Sequence, residues 1–187
     1  MNAIATSKRT ILWIDACGGF GLLRQPEVRI GREGNDINLM ADVSRHAGTL
    51  IRRGEDWAWQ TSHSTSPKEK RTDWLTLPGK LPLPNVNIQL SQPHPLSSTT
   101  VLRVAPPHRL ADSLDGMLLV GSVIVIGPSP DCHCVVRHAD SPLTLRVTET
   151  GIRFRHAGSQ YELSDDQTVR AGWLTVRQQT LFIPSSP

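Results

Sequence analysis

Several features that define large classes of proteins are scarce or absent in this chain of 187 residues. No apolar run approaches the roughly 18 residues of a membrane-spanning helix, so we expect no membrane insertion. The three cysteines are too few, and odd in number, for a disulfide framework, which favours a reducing compartment. The first ten residues lack the apolar core of a secretory signal. We therefore expect a cytoplasmic protein.

Catalytic motifs are also missing. The chain contains no Gly-x-Ser-x-Gly, Walker loop or His-Glu-x-x-His sequence, and its paired acidic residues fall in turns. The formal charge is only +3, and the arginines are spread through the predicted strands instead of forming one basic run. We therefore expect no enzymatic activity, no cofactor and no nucleic-acid partner.

The Cys132-His133-Cys134 run does not have the spacing of a metal site. Zinc sites use four ligands, usually with Cys-x-x-Cys spacing, whereas one residue separates these cysteines. On a strand, both thiols would point to the same face, where they would pack as small apolar side chains. We expect buried cysteines and no metal.

Short strands separated by turns dominate the pattern. We find no amphipathic run of ten residues, and 14 glycines and 14 prolines break the chain into short elements. The fold class that this predicts is all-β, with two β-sandwich domains in tandem and no long helices. The polar, proline-containing segment 92–99 divides them into domains spanning 8–92 and 99–184. The strands expected in the first half are 10–15, 20–23, 27–31, 36–40, 47–53, 57–59 and 86–90, with Trp57 and Trp59 in the core. Those expected in the second half include 100–104, 174–177 and 181–183.

The second half repeats the spacing of the first. The run that ends at Gly127 resembles the run that ends at Gly31, 96 residues earlier, and Ser141 follows Ser44 by 97 residues. A shared spacing over several elements indicates an internal duplication. In the second copy, Pro128 replaces Arg32. Any anion recognition is therefore expected in the first copy.

Two short motifs in the first copy carry a family resemblance. They are Gly31-Arg32 before an Asn35-Asp36-Ile37 turn, and Ser44-Arg45-His46-Ala47. Together they resemble the forkhead-associated (FHA) domain, a β-sandwich of about eleven strands whose loops recognise phosphothreonine in partner peptides. The second half resembles a degenerate copy of that domain.

The resemblance implies roles for individual residues. Arg32 and Ser44 would contact the phosphate, and Gly31 and His46 would be structural. The other residues implied in phosphopeptide binding are Asn35, Arg45, Ser64 and Thr65. The chemistry fits independently, because an arginine fork, a hydroxyl and the amides of a glycine turn suit a phosphate.

The motifs also depart from the family pattern, which separates the arginine and histidine of Ser-Arg-x-His by one residue. Read without a gap, Ala47 stands where the family has its histidine, and this alignment matches the following strand better. Read with His46 in place, the loop is shorter or Val43 takes the serine position. Ser66-Pro67 also replaces the Asn-Gly of a later family turn.

Two functions follow from these observations. The first is a non-catalytic interaction module that binds phosphothreonine-containing partner proteins through its first domain. The alternative is a pseudo-FHA scaffold that binds partners or self-associates without recognising phosphate.

Overall fold

A computed structural model describes residues 6–62, 72–149 and 151–184 and confirms the all-β prediction. The described residues contain no α-helix, and therefore none with the length and apolar character to cross a membrane. The strands are β1 (Thr6–Ile14), β2 (Gly18–Leu23), β3 (Glu27–Gly31), β4 (Ile37–Met40), β5 (His46–Arg53), β6 (Asp56–Thr61), β7 (Thr72–Leu75), β8 (Gly79–Lys80), β9 (Ile88–Ser91), β10 (Thr100–Val104), β11 (Arg109–Leu110), β12 (Gly116–Leu119), β13 (Ile124–Gly127), β14 (Cys134–Val135), β15 (Leu143–Val147), β16 (Ile152–His156), β17 (Ser159–Leu163), β18 (Thr168–Ala171) and β19 (Leu174–Pro184).

These strands form three sheets. A central sheet has the order β18-β19-β1-β2-β12-β10-β9-β8, a six-stranded sheet has the order β11-β4-β3-β5-β6-β7, and a five-stranded sheet has the order β14-β13-β15-β16-β17. The six-stranded sheet packs on one face of the central sheet and the five-stranded sheet on the other, because each forms its own apolar core with it.

The central strands are buried on both faces. In β12, Met117 packs toward the six-stranded sheet and Leu118 toward the five-stranded sheet. Alternate residues of a strand point to opposite faces, so a strand covered on both sides needs apolar residues throughout. This explains why β2 and β12 have nearly continuous apolar sequences without alternation.

The two outer sheets repeat one topology. In the six-stranded sheet, β3 pairs parallel to β4 and antiparallel to β5; in the five-stranded sheet, β13 pairs parallel to β14 and antiparallel to β15. Gly31 and Gly127 end the corresponding strands β3 and β13. The central sheet is also symmetric about the β2–β12 junction, since β1, β19 and β18 on one side correspond to β10, β9 and β8 on the other. This arrangement is what an internal duplication produces.

The structure does not confirm two separate sandwiches. The central sheet takes four strands from each side of segment 92–99, and β1 pairs along its whole length with β19. Segment 92–99 is also anchored, because the buried Ser97 hydroxyl donates to the Val123 carbonyl at 2.7 Å. The division into domains 8–92 and 99–184 therefore stays a prediction.

Within the first half, most strand predictions agree with the structure to within a few residues. Segment 27–31 matches β3, and the predicted core residues Trp57 and Trp59 are fully buried. In the second half, the predicted strand 100–104 matches β10. One difference is near the end of the chain, where predicted strands 174–177 and 181–183 are a single strand, β19. Pairing with the nine residues of β1 extends it through the polar residues between them.

Candidate functional site

The Gly31-Arg32 motif lies at the end of β3, where the backbone is in close contact with the loop before β5. A Cβ atom at Gly31 would lie 2.1 Å from the carbonyl oxygen of Arg45 and 2.6 Å from Nδ2 of Asn35. The Arg32 amide donates to the same Arg45 carbonyl at 3.1 Å. Only a glycine leaves room for this contact, so Gly31 fixes the loop after β3 against the loop before β5.

Asn35 braces these two loops from inside. Its side-chain amide donates to the carbonyl oxygens of Glu33 at 3.1 Å and Arg45 at 2.6 Å. Its Oδ1 lies 3.0 Å from Nδ1 of His46, and its side chain is only 8% exposed. All the polar groups of this amide therefore have partners within the protein.

The contact with Asn35 assigns which nitrogen of the His46 ring donates to it. Because Asn35 Oδ1 can only accept, His46 Nδ1 carries the proton and donates it. His46 Nε2 lies 3.5 Å from the Thr49 hydroxyl, which can donate to it. These contacts are consistent with the structural role that the sequence suggests for His46.

The turn between β3 and β4 is tied to its surroundings through Asp36. The Asp36 carboxylate accepts from the Arg29 amide at 2.8 Å and lies 3.6 Å from Arg29 Nε. Its carbonyl accepts from the buried Arg9 guanidinium, which also pairs with Asp112 at 2.8 Å. Burial lowers the pKa of Arg9, and Asp112 opposes that shift. Asp36 therefore binds Arg29 and Arg9 and does not pair with Arg32.

Arg32 and Ser44 meet at one cavity beside these loops. The cavity measures about 420 Å³, and Arg32 is exposed whereas Ser44 is partly buried. Within the residues that the structure describes, no ion pair involves Arg32. The cavity lining is Arg32, Asp42, Val43, Ser44, Ala47, Thr61, Pro82, Leu83 and Pro84.

This lining suits a ligand in which a small anionic group lies next to an apolar group. The Arg32 fork can bind two oxygens, and the hydroxyls of Ser44 and Thr61 can donate to others. Val43 and Leu83 provide apolar contact beside them. The carboxylate of Asp42 also lines the cavity and opposes the binding of an anion.

The structure brings together only part of the predicted set. Arg45 is exposed but does not line the cavity, and it serves the loops through its carbonyl oxygen. Asn35 is engaged within the loops, so the structure gives it a positioning role. Ser64 and Thr65 lie outside the described residues.

Sequence reasoning missed several lining residues. Asp42 and Val43 immediately precede Ser44, so their position in the same loop was a usable signal. Thr61 and the segment 82–84 come from distant parts of the chain. Nothing in their local sequence indicates that they meet Arg32.

The second copy lacks the asparagine contacts that hold the two loops together in the first copy. A Cβ atom at Gly127 would lie 2.9 Å from Pro142 Cα and 3.0 Å from Cys132 Sγ, as one at Gly31 would lie close to Arg45 and Asn35. The equivalent of Asn35 is therefore Cys132, one residue beyond the position that simple sequence matching gives. A buried thiol cannot donate to two carbonyl groups, so the second copy cannot hold its loops in this way.

The cysteines are buried or partly buried, as predicted for Cys132 and Cys134. Within the described residues, no three histidine, cysteine or acidic side chains are grouped where they could hold a metal ion. Cys17, in the turn before β2, accepts a hydrogen bond from Cys134, which lowers the pKa of Cys17 to about 7. Burial raises the pKa of Cys134 well above its ordinary value.

We predict that Cys17 reacts with iodoacetamide with a pH midpoint near 7, because the thiolate is the nucleophile and forms above the pKa. Mass spectrometry of the alkylated protein would follow the reaction at each cysteine. Cys134→Ala removes the hydrogen-bond donor and should move the midpoint toward the ordinary value of 9.0. The same midpoint in both proteins would contradict this explanation.

Comparison with known proteins provides no relative. No family model, curated protein or solved structure matches the chain. The function must therefore be inferred from the loops and the cavity themselves.

Proposed function

We propose that the protein is a non-catalytic interaction module that binds phosphothreonine-containing segments of partner proteins. Arg32 and Ser44 would hold the phosphate. The observation that carries this proposal is that both residues line one accessible cavity, where Arg32 has no acidic partner among the described residues. The resemblance of the loops to the FHA domain supports the same proposal.

Phosphothreonine combines the two chemical features that this cavity could accommodate. Its phosphate carries nearly two negative charges and three acceptor oxygens for Arg32 and the nearby hydroxyls. Its methyl group could contact the apolar lining at Val43 and Leu83. Unphosphorylated threonine would leave the arginine without a partner, so binding should depend strongly on the phosphate.

A peptide library with a fixed central phosphothreonine, compared with the same library carrying threonine, tests the proposal. We expect the immobilised full chain to retain the phosphorylated library selectively. Free inorganic phosphate at millimolar concentration should compete. Equal retention of the two libraries would overturn the proposal.

We predict that Asp42→Asn strengthens phosphopeptide binding by about two- to fivefold. The substitution removes a negative charge from the cavity lining, and exposed charge pairs contribute up to about 1 kcal/mol. Fluorescence anisotropy with a peptide from the library would measure the change at low ionic strength. Asp140→Asn, at an exposed position outside the cavity, is the matched control and should have no effect. Weaker binding by Asp42→Asn would contradict the assigned position of the phosphate.

The alternative is a scaffold that binds partners or self-associates without recognising phosphate. The engagement of Asn35 within the loops and the presence of Asp42 in the cavity are the observations that favour it. In that case, partners bind with the same affinity before and after phosphatase treatment. Under the first proposal, phosphatase treatment abolishes binding.

A further inference from the structure

The outer face of the five-stranded sheet is strongly basic. Arg146 on β15 and Arg153 and Arg155 on β16 are all exposed on the side that faces away from the central sheet. Their neighbours along the strands, Leu145 and Phe154, point the other way into the core. We propose that this arginine face, defined as Arg146, Arg153 and Arg155, binds an acidic segment of a partner protein.

The register places two of these arginines directly opposite each other. Arg146 pairs with Arg153 across the antiparallel strands β15 and β16. Like charges at directly opposed positions destabilise a sheet, and their side chains lie within mutual reach. A bound carboxylate between the two guanidinium groups would convert this repulsion into two favourable contacts.

The charges on this face are only partly neutralised by the protein. Arg153 pairs with Glu162 on β17, with Nη2 3.1 Å and Nε 3.2 Å from Oε1. Within residues 6–62, 72–149 and 151–184, neither Arg146 nor Arg155 has an ion pair. The residue opposite Arg155 is the neutral Gln160. Two guanidinium groups therefore remain available to a ligand.

The arginines surround a groove that is large enough for a peptide. It measures about 790 Å³. Its lining is Val123, Pro142, Leu143, Thr144, Arg146, Arg153, Phe154, Arg155 and Gln160. Leu143 and Phe154 are buried, so Val123 and Pro142 supply the apolar surface of the groove. Apolar surface beside arginines suits a segment in which acidic and apolar residues alternate.

The groove is less suited to nucleic acid or to a second copy of this chain. Binding sites for single-stranded nucleic acids combine basic groups with exposed aromatic rings for stacking. Here Phe154 is buried, and its ring centroid lies 5.0 Å from that of Tyr161, on which it stacks. A second copy carries a net charge of +3, which opposes its approach to a basic face. Carboxylates match the arginine fork in two hydrogen bonds and need no aromatic ring beside it.

This face belongs to the second copy alone. The pairing registers of the two outer sheets equate the three arginines with Ile51, Ala58 and Gln60 of the first copy, none of which is charged. The face is also built on a different sheet from the Arg32 cavity. The inference therefore does not depend on phosphate recognition.

Fluorescence anisotropy with a labelled ten-residue peptide of alternating glutamate and valine tests this inference. We expect binding that weakens with added salt, and a loss of about fivefold in the double variant Arg146→Gln with Arg155→Gln. The matched control Arg24→Gln with Arg137→Gln changes two exposed arginines elsewhere and should bind as the unmodified protein does. The thermal unfolding midpoint of the double variant should not fall, because the substitutions remove a repulsive pair.

Three results would overturn the inference. The first is equal affinity in the double variant and the unmodified protein. The second is tighter binding of an oligonucleotide of the same length and charge, which would indicate a nucleic-acid surface. The third is that the Arg32→Ala variant no longer binds the glutamate peptide whereas the double variant still does, which would place the peptide at the Arg32 cavity. Failure of the phosphothreonine library alone would leave the arginine face unaffected.

Discussion

Replacing Arg32 with alanine is expected to weaken phosphothreonine-peptide binding by about 10- to 100-fold. A hydrogen bond to a charged group contributes about 1.5–3 kcal/mol, and each 1.4 kcal/mol is a factor of ten in affinity. Arg32 is the cavity residue with a full positive charge, and no other described residue supplies one to the lining. Isothermal titration calorimetry with a selected library peptide would measure the change.

Two further variants separate the charge of Arg32 from its geometry. Arg32→Lys keeps the charge but loses the two-pronged fork, so its affinity should fall between those of the unmodified protein and Arg32→Ala. Arg24→Ala, at an exposed position outside the cavity, should bind within twofold of the unmodified protein. If Arg32→Ala and Arg24→Ala bind equally well, Arg32 does not hold the phosphate.

Replacing Gly31 with alanine is expected to lower the free energy of unfolding by about 2–3 kcal/mol and to abolish peptide binding. The new methyl group would lie 2.1 Å from the Arg45 carbonyl, and a backbone atom cannot move aside as the end of a flexible side chain can. The movement that makes room for the methyl group would separate the two loops and break the hydrogen bonds of Asn35 with Arg45 and His46. Urea denaturation followed by tryptophan fluorescence would measure the loss.

Gly54→Ala is the control for this substitution. Gly54 lies in the β5–β6 turn with no atom within 4 Å of an added Cβ, but its φ of +64° carries a cost of about 1–2 kcal/mol for alanine. It should therefore destabilise the protein less than Gly31→Ala and leave peptide binding intact. If Gly31→Ala bound peptide as well as Gly54→Ala does, the close loop contact would not be needed for the site.

The outer sheets were more predictable from sequence than the central sheet. The alternation in segment 27–31 and the buried Trp57 and Trp59 depend on neighbouring residues, so local patterns reveal them. On one side β1 pairs with the next strand, β2, but on the other side it pairs with β19, at the opposite end of the described chain. No local sequence pattern indicates that second partner. For the same reason, the sequence could suggest a duplication but not that the two copies share a sheet.

The candidate site shows the same limit at the level of single residues. Motif spacing places Arg32 and Ser44 in adjacent loops, and the structure puts both at one cavity. The sequence could not show that Arg45 contributes its carbonyl oxygen instead of its side chain, because backbone contacts depend on loop geometry. The contacts of Asn35 with both loops likewise depend on the close approach of Gly31 to Arg45.

Amide chemical-shift mapping with a phosphothreonine peptide tests the central claim most directly. We predict that the largest shifts occur at Arg32, Ser44, Ala47 and Thr61, and that the threonine form of the same peptide produces none of them. Arg146, Arg153 and Arg155 should be unaffected, because they lie on another sheet. Shifts confined to those three arginines, or identical shifts with both peptides, would contradict phosphate recognition at the Arg32 cavity.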